Sequence, residues 1–178
     1  DGLTLVDEFK LGTSDNNIDS DFDSLPDKWE VNNDRDPSFP DYQISVTDKG
    51  ICAIDDTGLV CWGYNMNFYD ADFPGAIQVS LNQLGLCTLD DTGVRCSGYS
   101  FGTNQDIHNV PTLSNDIYQI SSSWDNACAL GSSGLECWGS NGHGQNYIPP
   151  LSNPTQVSVG AEQTCALDDT GAVCWGQN

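Results

Sequence analysis

The chain has 178 residues, with Lys and Arg numbering 5 against 26 Asp and Glu, a formal net charge of −21. So acidic a balance argues against nucleic acid as a partner, because phosphate binding needs clustered Lys and Arg to release counterions, and it suits cations over anionic membrane surfaces. No run of about 18 apolar residues occurs, so no membrane insertion is expected. Leu, Ile, Val and Phe make up only about a fifth of the chain, near the level below which charged chains stay disordered. Staples beyond the core are therefore expected, and an even, regularly spaced set of 8 cysteines implies an oxidising setting, secreted or at the cell surface.

Residues 1–41 form the first unit, with twelve acids, three bases and no cysteine. Its sharpest signal runs from Asp19 to Glu30. Asp19, Asp21, Asp23, Asp27 and Glu30 stand at positions 1, 3, 5, 9 and 12 of a twelve-residue loop, with the Leu25 carbonyl at position 7. That is the spacing of an EF-hand-type calcium loop, in which alternate oxygens converge on one ion and a final Glu closes the shell. Ser24 departs from the pattern at position 6, where Gly normally makes the turn. An echo lies 22 residues upstream, where Asp1, Leu3 and Glu8 match Asp23, Leu25 and Glu30. Leu5 takes position 9 there, and the first two ligand positions of that loop would precede residue 1, so the chain is expected to begin inside a calcium motif. Clustered carboxylates repel one another without an ion, which makes calcium the expected cofactor. The pair of loops resembles the bacterial thrombospondin type-3 repeat, and that resemblance adds Asp36, the acid before Pro37, to the calcium-supporting residues.

Residues 42–178 hold all the cysteines in an internal repeat. The unit reads Gln-[Ile/Val]-Ser, six residues, Cys, eight residues, Cys, then usually Trp-Gly. Its copies begin at Gln43, Gln78, Gln119 and Gln156, dividing the region at about 42–77, 78–118, 119–155 and 156–178. The Gly-, Asn- and Pro-rich stretches between them read as loops.

Within each copy the two cysteines frame a hairpin. In Cys52–Cys61 two apolar segments flank Asp55-Asp56-Thr57-Gly58. A four-residue loop at 55–58 would pair Ile54 with Leu59 and set Cys52 opposite Cys61, within disulfide reach. Four local bridges are expected: Cys52–Cys61, Cys87–Cys96, Cys128–Cys137 and Cys165–Cys174. Each closes a loop of about ten residues, worth on the order of 2.5–3 kcal/mol in the chain-entropy description. The competing use of such cysteines, structural zinc, has closer knuckle spacings.

The hairpin at 165–176, Cys-Ala-Leu-Asp-Asp-Thr-Gly-Ala-Val-Cys-Trp-Gly, resembles the regulator-of-chromosome-condensation repeat in its disulfide-bearing bacterial secreted form. The resemblance covers 42–178 and implies a β-propeller, although four units shorter than the usual blade also fit an open array. Copy two has Ser97 in place of the Trp, and copy three has Gly131-Ser132-Ser133-Gly134 in the turn. The expected fold is mainly β: four disulfide-stapled β-hairpin repeats, propeller-like or stacked in an open β array, after a calcium-loop segment of little regular structure.

No catalytic constellation is recognisable. His108 and His143 sit in different connectors, and the repeated Asp pairs at 55–56, 90–91 and 168–169 read as turn formers. Trp62, Trp138 and Trp175 read as core or stacking residues of the repeat, while Tyr64, Phe68, Tyr69, Tyr99 and Phe101 read as exposed contacts. The expected function is a non-enzymatic extracellular structural module, one period of a longer bacterial surface protein, adhesin stalk or filament, with copies of itself or adjacent repeats as end-to-end partners. The alternative is a propeller-type binding module for a protein or glycan.

Overall fold

The computed structural model describes residues 13, 20, 27–32, 37, 43–55, 58–63, 73–83, 85–98, 106–113 and 116–177. A short helix, α1 (Asp27–Asn32), precedes twelve strands. They fall into four three-stranded antiparallel sheets. The first holds β1 (Ile44–Val46), β2 (Gly50–Asp55) and β3 (Gly58–Gly63), the second β4 (Gln78–Leu81), β5 (Gly85–Asp90) and β6 (Gly93–Gly98). In the third are β7 (Ile117–Ser123), β8 (Asn126–Gly131) and β9 (Gly134–Gly139), and in the fourth β10 (Gln156–Val159), β11 (Gln163–Asp168) and β12 (Gly171–Gly176).

Each sheet is the expected hairpin plus one strand. The Gln-[Ile/Val]-Ser segment alternates polar and apolar residues, the period of a half-buried strand, and lies antiparallel to the first hairpin strand, with Ser45 opposite Cys52 and Ser158 opposite Cys165. In the hairpins Ile54 faces Leu59 and Cys52 faces Cys61, the register the spacing predicts. The loop is shorter than expected, because Asp55 and Gly58 still pair as strand residues, as do Asp90 and Gly93, between which only Asp91 and Thr92 turn. Among the described residues α1 is the one regular element of the first unit, a segment expected to have little.

All four expected disulfides form, with Cα–Cα distances of 4.0–4.1 Å. That separation belongs to directly opposed residues at a narrow, non-hydrogen-bonded position of an antiparallel pair, so the bridges are a product of register.

The sheets stack in sequence, the first strand of each beside the first strand of the next. The core is accordingly divided among the three junctions. Cys52 and Ile54 of repeat 1 meet Val79, Leu81 and Leu86 of repeat 2. Cys87 and Leu89 meet Ile120, Ala127 and Ala129, and Cys128 and Leu130 meet Val157 and Val159. A hairpin alone has too little apolar surface to hold itself together, whereas full burial of one Val or Leu contributes about 1.5–3 kcal/mol. β5 and β8, at the centre of the stack, are buried along their whole length, while β2 and β11 near its ends are not. Among the described residues the array is open, with no strand pairing between repeats 1 and 4.

Candidate functional site

The junctions are built by the Gln and Ser of the repeat motif. Gln43 Oε1 accepts a hydrogen bond from the Val79 N–H at 3.3 Å and Ser45 Oγ one from the Leu81 N–H at 2.8 Å. At the next junction Gln78 and Ser80 accept from the Ile120 and Ser122 N–H groups at 2.9 and 2.8 Å. Then Gln119 and Ser121 accept from Val157 and Val159 at 2.9 and 3.0 Å. Each Gln also donates where a carbonyl is in reach, Gln78 to Tyr118 at 2.5 Å and Gln119 to Val157 at 3.1 Å. Two side chains thus serve as a strand edge for the next repeat. They satisfy N–H groups two residues apart that point away from their own sheet and would be orphaned on burial.

The apolar residues interleaved with the ladder bury at the same time. The six residues whose N–H groups are bonded are only 3–9% exposed. Beneath them lie the disulfides, with Cys52, Cys87 and Cys128 exposed by 1% or less. A junction is therefore one bridge and its flanking apolar residues on one side, and two buried strand residues on the other, both apolar at the first and third junctions and Ile120 with Ser122 at the second.

Both ends of the stack present half of this device. At the head, Ile44 and Val46 hold the positions of Val79 and Leu81 yet are 75% and 61% exposed. Their N–H groups point away from β2, because the ladder bonds there fall on the alternate residues, Gln43 and Thr47. At the tail, Gln156 and Ser158 are exposed, and their side chains make no hydrogen bond among the described residues. Leu167 is 43% exposed, and Ala172 and Cys174 are exposed with it.

The tryptophans tie down connectors. Trp138 Nε1 donates to the Ile107 carbonyl and Trp175 Nε1 to the Gln145 carbonyl, both at 2.8 Å. Trp62 is half-exposed. The Asp pairs serve their turns. Asp168 accepts from the N–H and hydroxyl of Thr170 and from the Ser152 N–H, and these bonds hold its carboxyl below the usual range. Buried Asp90 accepts from Thr92 in the same way and pairs with Arg95, whose guanidinium lies 5.4 Å from the Phe73 ring centre. Burial pushes the Asp90 carboxyl up, and the Thr92 bonds with Arg95 more than reverse it, so its pKa is lowered. A shallow groove of about 280 Å³ beside this turn is lined by Asp91, Thr92, Val110, Pro111 and Leu113 among others. His108 is paired with Asp106, and His143 lies 3.8 Å from Glu162 on the surface.

Of the calcium residues expected from sequence, Asp1, Leu3, Glu8, Asp19, Asp21, Asp23, Leu25 and Asp36 lie outside the described residues, as does the side chain of Glu30. Asp27 is described. It opens α1, is fully buried, and accepts hydrogen bonds from the Ser20 N–H at 2.6 Å and the Ser20 hydroxyl at 2.7 Å, one on each carboxylate oxygen. A carboxylate so held keeps lone pairs for a hard cation, so it fits a calcium shell. Tyr64, Phe68, Tyr69, Tyr99 and Phe101 also lie outside the described residues. Sequence reasoning used the Gln and Ser of the motif as a register mark and missed their role. The signal was present as polar residues two apart, interleaved with apolar ones, at the start of every copy.

No protein-family model matches the chain and no curated protein matches it in sequence. Solved structures do match its fold. The ectodomain of the Physcomitrella patens receptor kinase CR4 is 21% identical with a TM-score of 0.63, over 76% of this chain and 40% of that one. Prp20p of Saccharomyces cerevisiae, the yeast RCC1, is 18% identical with a TM-score of 0.61, over 76% of this chain and 44% of that one. Human WBSCR16 is 16% identical with a TM-score of 0.59, over 79% and 48%. The fold is thus that of RCC1-like β-repeats, and the chain spans less than half the length of these three structures. Four disulfides mark it as a domain of an oxidising, extracellular or secreted setting.

Proposed function

We propose that the protein is a non-enzymatic extracellular structural module, a component of a surface protein, adhesin stalk or filament made stiff by disulfides and calcium. The observation that supports this reading most is the junction. The same Gln/Ser ladder recurs three times over a buried disulfide, so residues 43–177 behave as one block and not as beads. In residues 1–41, Asp19, Asp21, Asp23, the Leu25 carbonyl, Asp27 and Glu30 would hold calcium with Asp36 in support, and Asp1, Leu3 and Glu8 would serve the upstream loop. The ion supplies the positive charge that this acidic segment lacks. Hydrogen exchange in calcium, in chelator and after reduction tests the proposal. Protection of 43–177 as a unit, lost on reduction, together with calcium-dependent protection of 15–37 alone, is the expected result. Hairpins exchanging independently of one another would sink it, and identical exchange of 15–37 in calcium and chelator would remove the ion.

A second reading is favoured by exposed aromatic residues. Trp62, Trp124, Tyr118 and Tyr147 are each about half or more exposed, and such side chains make contact with protein or glycan partners. Prp20p is described by its binding to Gsp1p and histones, which makes protein partners the first to test. Loss of partner capture on Trp124→Ala, with the melting temperature unchanged, would favour this reading.

A further inference from the structure

The turns that close the hairpins differ in how their carboxylates are used. In repeat 4, Asp169 Oδ2 accepts from the Ser152 hydroxyl at 3.3 Å and the Asn153 amide at 2.6 Å, and Asp168 accepts from the Ser152 N–H. In repeat 3 the corresponding turn residue, Ser132, is bonded to Asp116 through its N–H and its hydroxyl. Repeat 2 has no such donors. Its leading segment aligns with that of repeat 4, because the Ile77 and Thr155 N–H groups bond the Leu89 and Leu167 carbonyls alike, and this sets Pro74 and Gly75 in the places of Ser152 and Asn153. Proline has no N–H and glycine no side chain. Asp91 is accordingly exposed, and its carboxylate makes no hydrogen bond or ion pair among the described residues.

That carboxylate borders the groove between the turn of repeat 2 and the connector into repeat 3, whose apolar wall is Val110, Pro111, Leu113 and Ile117. Its volume of about 280 Å³ falls below the roughly 300–1,000 Å³ of small-molecule sites, so it suits one long side chain whose backbone stays outside. From this we infer that the groove is a docking site for an Arg or Lys side chain of a basic protein partner. The apolar stem lies along Val110, Pro111 and Leu113, and the cationic head pairs with Asp91; such side chains join these two characters in one group. Charge complementarity selects this occupant, because the chain carries a net −21 and the turn holds Asp90 and Asp91 against Arg95 alone. The turn already shows the arrangement once, where Arg95 pairs with Asp90 and sets its guanidinium 5.4 Å from the Phe73 ring centre. Calcium fits less well, since it takes six to eight oxygens and Asp90 is engaged by Thr92 and Arg95. This assignment rests on the binding-module reading and names the chemistry of its partner.

Amide NMR spectra of the full chain, titrated with the peptide acetyl-Ala-Arg-Ala-amide at about 0.15 M salt to screen general attraction to the acidic surface, test the inference. Saturable shifts confined to residues 89–94, 110–113 and 117 are expected. Asp91→Asn should weaken binding about three- to fivefold, and so should a peptide with neutral citrulline in place of arginine, each in line with one exposed charge pair. Combining the two changes should cost that loss once and not twice over, because both remove the same pair. Asp91 is exposed and unbonded, so an unchanged melting temperature of Asp91→Asn verifies folding. Asp169→Asn, at a carboxylate already bonded by Ser152 and Asn153, should leave the affinity as it is. Shifts spread over the acidic surface without saturation, an Asp91→Asn variant that binds like the wild type, or losses that multiply on combination would overturn the inference. Saturation of the same amides by calcium alone would overturn it too. Partner capture that depends on Trp124 would survive each of these results, so failure of the groove is told apart from failure of the binding-module reading.

Discussion

Gly139 shows how tightly single residues are constrained in this repeat. It follows the Trp that follows the second cysteine, has a φ of 92°, and a Cβ placed on it would lie 2.2 Å from the Asp125 carbonyl oxygen. Neither the left-handed backbone nor the backbone contact can be relieved by a rotamer change. Gly139→Ala should therefore cost about 2–3 kcal/mol of stability, in the range of strained backbone positions. Gly142, which meets nothing within 4 Å and needs no positive φ, is the control. Denaturant midpoints check the pair, and equal effects would refute the account. Asp90 gives a second prediction at this scale. Its folded pKa lies below the ordinary 3.8, so its contribution to stability is fully present above that pH and is lost as pH falls through the lowered value. Asp90→Asn should be less stable than wild type at pH 7, and the gap should narrow below about pH 4. A gap independent of pH would mean that the loss is one of packing.

At the scale of elements, the ladder predicts which parts loosen together. Removing the Ser121 hydroxyl leaves the Val159 N–H buried without its acceptor, a cost of about 1–3 kcal/mol. Ser121→Ala should raise hydrogen exchange in β10–β12 while β4–β6 stay protected, because the lesion lies at one junction of a stack held by nearest neighbours. Uniform loosening of all four repeats would count against the ladder as the coupling element. The hairpins and their bridges were legible because their determinants are local: the Cys spacing, the Asp-Asp-Thr-Gly turn and the alternation around it lie within ten residues. The loop length was misread by counting Asp55 and Gly58 as turn, although a turn of two residues leaves the same register. The junction was not legible, since Gln43 meets Val79 across 36 residues and nothing local says that a Gln in a strand will bond backbone in the next sheet. The third strand was readable from its period of two, but its short length hid it.

The whole molecule has to keep −21 charges together. Lys and Arg total only 5, and Arg95 with Asp90 is the one Lys or Arg ion pair among the described residues. Net charge of one sign opposes compaction at long range, while the stack is held by short-range junctions and covalent bridges. Two responses to ions should then separate. Monovalent salt screens repulsion over about 8–10 Å, so raising sodium chloride should lift the melting temperature of residues 43–177 gradually and without saturation at a fixed stoichiometry. Calcium at matched ionic strength should add a saturable increment confined to residues 15–37, where Asp27 is buried with Ser20 as its hydrogen-bond donor. The increment arises because binding to the folded form alone stabilises by mass action. Asp21→Ala should remove that increment and leave the salt response intact. If the calcium increment tracked ionic strength alone and survived Asp21→Ala, residues 1–41 would act only as a charged segment, and stiffness would rest on the disulfide-stapled junctions.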